Sequence, residues 1–168
     1  MATKPAWKSV SVVTSALPER VWRVYAQLRW HEWDHDIESM AAAPSNRAPG
    51  LVDGNVFVIH MKDRTQHTVT VSDVVEHERF TYAGPLTGSQ LVAVHRLERC
   101  DEGTRITHSF DFTGFLGGIF RMAAAGPVQR GLEQNTLMLR TLAEAADEEP
   151  AAACDDQDSR GGGGAGGP

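Results

Sequence analysis

The stretch Gly126–Ala146, GPVQRGLEQNTLMLRTLAEAA, decides the fold. It is the one segment long enough to form a substantial helix. Pro127 falls where a first-turn proline is tolerated, because the N–H it lacks would have no intrahelical partner there. Val128, Leu132, Leu139, Leu142 and Ala146 recur near the helical period, with Thr136 filling the one polar gap. Arg130, Glu133, Gln134, Arg140 and Glu144 fall largely on the opposite side. An apolar stripe needs a partner surface, and nearly everything between Val52 and Thr113 reads as strand. The expectation is a curved antiparallel sheet folded around one long C-terminal helix. Where sheet and helix meet at an angle they leave a wedge of space.

The hairpin just before the helix has the clearest pattern. Leu91, Ala93, His95 and Leu97 share one face, and Ile106, His108, Phe110 and Phe112 share one face of the next strand. Arg105, Thr107, Ser109, Asp111 and Thr113 form a polar face opposite. With a turn over Cys100–Gly103, Arg99 pairs with Thr104, which sets Leu97 against Ile106 and His95 against His108. Two histidines then sit side by side on the apolar face.

Further from the helix, Val56–Lys62 places Phe57, Ile59 and Met61 on one face, and Gln66–Asp73 does the same for His67, Val69 and Val71. Phe80–Ala83 is a short aromatic strand that includes Tyr82, ended by a turn at Gly84-Pro85 and Gly88. Trp7–Thr14 reads as a first strand. Leu17-Pro18-Glu19 opens a helix whose buried stripe is Val21, Val24, Tyr25 and Leu28. Arg29–Asp36 reads as a short second helix, Ile37–Ala42 as a weak strand and Pro44–Gly54 as a loop. Gly114–Ala125 reads as a short helix or a flexible connection before the main helix.

These elements bound one domain over residues 1–146, long enough for a real core. Residues 147–168 are acidic and then glycine-rich, a composition that cannot offset ordering entropy, so disorder is expected. The net charge is −6, of which the tail carries −5. The body is therefore near neutral and has no basic cluster, which argues against a nucleic-acid partner. Cys100 in a turn and Cys154 in the tail do not make a structural disulfide. No apolar run approaches a membrane span and no leader is evident, so a soluble cytoplasmic protein is expected. Oligomeric state is left open.

With this order of elements, the chain resembles the START-like (SRPBCC) superfamily, in particular its bacterial polyketide cyclase/dehydrase-like and lipid-transport branch. The stretches that carry the resemblance are ALPERVWRVYAQLRWHEWDHDIESM (16–40), GTRITHSFDFTGFLGG (103–118) and the long C-terminal helix. The resemblance implies an α+β helix-grip fold, a sheet of six or seven strands around a long helix with an apolar cavity between them. It also implies a hydrophobic small-molecule partner such as a polyketide, lipid or isoprenoid, and no cofactor. Some members of the superfamily catalyse cyclisation and aromatisation, but there is no universal catalytic motif to carry over.

Three readings of function follow. In the first, the inward residues Phe57, Ile59, Met61, Val69, Val71, Tyr82, Phe110 and Phe112 line a binding cavity, and His95 and His108 orient the ligand. In the second, one of those histidines moves a proton in a cyclase or aromatase reaction. In the third, the chain is a quinone chaperone or a partner-binding helper, marked by an exposed apolar patch. The plain alternative for the histidines is a core pair satisfied by each other, a backbone group or water. His31-Glu32-Trp33-Asp34-His35 fits the H-E-x-x-H pattern of zinc hydrolases. Its segment is too short for their long helix and no third ligand stands out, so no metal is assigned.

Overall fold

Residues 6–145 are described in the computed structural model. The period-two alternation of the central sequence produces seven strands: β1 (Lys8–Thr14), β2 (Ile37–Ala42), β3 (Val56–Met61), β4 (Gln66–Val75), β5 (Arg79–Leu86), β6 (Ser89–Cys100) and β7 (Gly103–Thr113). They form one antiparallel sheet in the order β1-β7-β6-β5-β4-β3-β2. From β2 to β7 the sheet is a meander of sequential neighbours. β1 then closes against β7, with Lys8 opposite Phe110 and Thr14 opposite Thr104. The hairpin register is the one its alternation predicts, with His95 facing His108 and Leu97 facing Ile106. Gly103 turns this hairpin at φ +128°, and a Cβ there would lie 2.8 Å from the Ser15 carbonyl oxygen, so only glycine fits without strain.

Two helices, α1 (Pro18–Ala26) and α2 (Gly117–Ala145), cover the concave face. Their residues Val21, Tyr25, Leu139 and Ala143 share one buried cluster with the sheet residues Phe57, Val71, Phe80, Leu97 and Ile106. The architecture is the α+β helix-grip fold. α1 ends as Leu28 enters the left-handed region at φ 56°. The reversed chain runs into a single 3₁₀ turn, Trp30–Glu32. Trp30 is thereby driven into the core, where its Nε1–H donates to the Tyr25 carbonyl at 3.1 Å.

Two expectations are corrected. Gly114–Ala125 is largely not a connection, because α2 begins at Gly117 and Pro127 lies inside it. The run Met122-Ala123-Ala124-Ala125 is strongly helix-forming and carries the helix through. Pro127 removes one hydrogen bond, to the Ala123 carbonyl. Ala123 is exposed, so solvent can satisfy that group. Likewise Gly84-Pro85 is not a turn but part of β5, and the chain reverses at Thr87-Gly88. A Cβ at position 84 would come within 2.9 Å of the Thr68 carbonyl oxygen, so glycine there allows β4 and β5 to approach closely. The inward stripe of α2 is Val128, Leu132, Thr136, Leu139 and Leu142, joined by Gly131, Asn135 and Ala143. Ala146, Cys154 and the acidic, glycine-rich segment lie outside the described residues.

Candidate ligand-binding cavity

A cavity of about 230 Å³ lies between the sheet and the middle of α2. Of the ten residues expected around it, Ile59, Met61, Val69, Tyr82, His95, His108 and Phe110 line it. Phe57, Val71 and Phe112 do not. Phe57 packs against Trp30 with ring centres 6.4 Å apart, and Val71 is fully buried in the core. Phe112 sits among Trp7, Phe110 and Phe120. Side-chain alternation fixes which face a residue occupies, but not which part of that face the helix leaves uncovered. α2 contributes Pro127, Val128, Gly131, Leu132 and Asn135, and the chain after the 3₁₀ turn contributes Trp33, Asp34, Asp36 and Ile37. Asp36 and Pro127 are exposed while His95, His108 and Ala93 are buried, so the cavity runs inward from Asp36 and Pro127 to the histidines.

His108 is fully engaged. The Thr136 hydroxyl lies 2.6 Å from the Leu132 carbonyl, an acceptor only, so its single proton is committed there. Towards His108 Nδ1, 3.1 Å away, Thr136 Oγ1 can then only accept. The His108 proton is therefore on Nδ1, and Nε2 accepts the Tyr25 hydroxyl at 2.7 Å. The chain Tyr25–His108–Thr136–Leu132 is complete and uncharged. Burial drives the His108 pKa down to about 3 and that of His95 well below the usual imidazole value, with His108 beside it adding to the effect. Burial also pushes the Tyr25 and Tyr82 phenols up, so both stay protonated.

His95 is different. Its ring stacks on Phe80 at 4.4 Å and meets His108 edge-on at 4.5 Å, but its buried Nδ1 has no hydrogen-bond partner among the described residues. The buried Nε1 of Trp33 has none either, and the two rings lie 5.9 Å apart, close to perpendicular. Unpaired buried polar atoms are uncommon in folded proteins. Here two of them lie on adjacent rings, and both residues line the cavity.

The outer end is acidic. Burial raises the Asp34 carboxyl to about 6, against donation from the Asp36 backbone N–H at 3.1 Å and from Asn135. Asn135 Oδ1 in turn accepts from the backbone N–H of His35 at 3.3 Å and its ring Nδ1 at 3.2 Å. In the sequence Asp34 lies inside the H-E-x-x-H match, which gives it no role of its own. That segment is no continuous α-helix here. Its carboxyl group at Asp34 joins His35 and Asp36, each offering one potential metal-ligand atom within 4.8 Å of the others, whereas His31 and Glu32 are not in that group. The local motif concealed the position that faces the cavity.

A sheet gripping a long helix, with a mainly apolar cavity between them, defines a helix-grip protein of the SRPBCC type. The chain belongs to the polyketide cyclase / dehydrase and lipid transport family, whose sequence profile matches residues 8–144. None of the curated proteins matches the chain by sequence. Among solved structures it is similar to MLL2253 from Mesorhizobium loti, with 20% identity, a TM-score of 0.65, and 83% of this chain and 98% of that one covered. Protein jhp0584 from Helicobacter pylori is similar with 13% identity and a TM-score of 0.67, over 85% of this chain and 99% of that one. DynU16, described as a putative protein in the dynemicin biosynthetic locus, is similar with 16% identity and a TM-score of 0.63, over 85% of this chain and 49% of that one. At these identities the likenesses show the fold.

Proposed function

We propose that the chain binds a small hydrophobic molecule, of polyketide, lipid or isoprenoid type, in the cavity between sheet and α2. The observation that carries this is a preformed cavity whose walls are mainly apolar, with His95 at its inner end and Asp36 at its outer end among its few polar groups. An apolar cavity of about 150 Å³ accommodates benzene. A volume of about 230 Å³ therefore suits one or two rings, with longer substituents leaving past Pro127 and Asp36. Displacing water from the apolar walls would supply most of the affinity, and the polar ends would set orientation.

The test is native mass spectrometry of freshly purified protein, followed by denaturation and extraction into organic solvent. An extra mass that extracts is expected, and it should be absent from an Ala93→Leu variant, whose larger side chain fills the cavity. Bare protein from every preparation, with no thermal stabilisation by hydrophobic compounds, would remove the reading.

One observation favours a second reading, in which the bound molecule is also a substrate for cyclisation or dehydration. Asp34, with its carboxyl raised to about 6, can exchange a proton near neutral pH in contact with the cavity. His108 is a poorer base, since both ring nitrogens are already bonded. A carbonyl substrate whose turnover falls at least tenfold in Asp34→Asn, with binding retained, would carry this reading.

A further inference from the structure

We propose that the inner end of the cavity receives one uncharged hydroxyl group, borne by a one- or two-ring aromatic ligand. This rests on the binding reading above and names its ligand class. The indole Nε1–H of Trp33 can only donate. His95 Nδ1 either carries the imidazole proton or offers a lone pair. Both atoms are buried and unpartnered among the described residues. A hydroxyl satisfies this pair in either tautomer, because its oxygen accepts from Trp33 while its proton donates to His95, or its oxygen accepts from both. A carbonyl oxygen serves only one tautomer, and a hydrocarbon serves neither.

The surrounding groups exclude an anion. No lysine or arginine is among the described residues lining the cavity, while Asp34 and Asp36 are. His67 lines it from the β4 wall, near the Thr65 hydroxyl, away from the His95–His108 pair. A carboxylate carried inward would lose its hydration without meeting a cation. The rings on either side favour a flat ligand. Trp33, Tyr82 and Phe110 line the walls, and the imidazole at the end is itself stacked on Phe80.

The experiment compares 2-naphthol, naphthalene and 2-naphthoate at pH 7.5. Affinity is measured by calorimetry, and the indole N–H resonance of Trp33, assigned with Trp33→Phe, is followed in ¹H–¹⁵N spectra of the wild-type protein. The expected result is that 2-naphthol binds at least tenfold tighter than either other compound and moves the Trp33 resonance downfield, which naphthalene does not. Equal affinity for 2-naphthol and naphthalene would overturn the hydroxyl receptor and leave the hydrophobic-binding reading standing. Tight binding of 2-naphthoate would overturn the exclusion of anions. If none of the three binds, the binding reading falls and this inference with it. The affinities are read on the wild-type chain, so the ranking of the three compounds does not depend on a variant folding.

Discussion

At the scale of single residues, the two buried histidines couple folding to pH. In the unfolded chain each imidazole takes up a proton near pH 6.5, but in the fold burial keeps His95 and His108 neutral far below that. The folded state therefore binds fewer protons, and the stability it holds above pH 6.5 is lost as pH falls through that value towards about 3. Asp34 acts in the opposite sense. Its carboxyl is raised from 3.8 to about 6, so its contribution is complete below 3.8 and lost as pH rises to about 6. Between pH 5 and 6 two histidines oppose one carboxyl, a net loss of roughly 1.4 kcal/mol per pH unit on acidification. Urea unfolding in small pH steps should show this slope, and His95→Phe should flatten it by leaving one group on each side. An unchanged slope in His95→Phe would mean that the imidazole is charged in the fold. The histidine pair was legible in the sequence because alternation and a short turn together fix register. Asp34 was not, since nothing local distinguishes a carboxylate at a cavity wall from one in solvent.

At the scale of elements, α2 is uneven along its length. From Val128 onwards it presents a buried stripe to the sheet, whereas Phe115 and, in the first turns, Ile119 and Met122 are 95%, 60% and 80% exposed. Pro127 lies between these regions without an N–H to join them. Amides of Gly117–Gly126 are expected to exchange with solvent much faster than those of Gly131–Ala143, as measured by hydrogen exchange. Replacing Pro127 by Ala restores the missing bond and is expected to stabilise the protein by about 1–3 kcal/mol in thermal unfolding, with exchange in the first turns slowed. Loss of stability instead would show that the proline ring matters chiefly as part of the cavity wall. The helix start is not legible in the sequence because Pro127 suits a first turn as well as an interruption. Only the sheet beneath tells the two apart. Gly84-Pro85 is the opposite case, in which turn-forming residues serve a close strand approach. The exposed ridge is the apolar feature on which a partner-binding reading would rest, and nothing among the described residues covers it.

At the scale of the whole molecule, β2 to β6 pair only with their neighbours in sequence, as does β7 on its β6 side, which is why the meander could be read from short alternating runs. The β1–β7 seam joins distant segments. Across it the hydroxyls of Ser9 and Ser109 lie 3.0 Å apart and those of Ser11 and Thr107 2.8 Å apart, and Thr14 Oγ1 donates to Glu144 of α2 at 3.0 Å. Contacts of such long sequence separation form late, because the loop-closure entropy precedes any gain. A Thr14→Ala variant, which loses the link to α2, should therefore speed unfolding more than it slows refolding in stopped-flow traces. The seam also sets an order on the ribosome. The first strand synthesised is among the last to find its partner, so during translation Lys8–Thr14 stays unpaired until β7 has left the exit tunnel. A nascent chain paused before that point has a meander whose β6 edge is open in addition to its β2 edge, and that interval is when a chaperone, or a neighbouring nascent chain, has access to it.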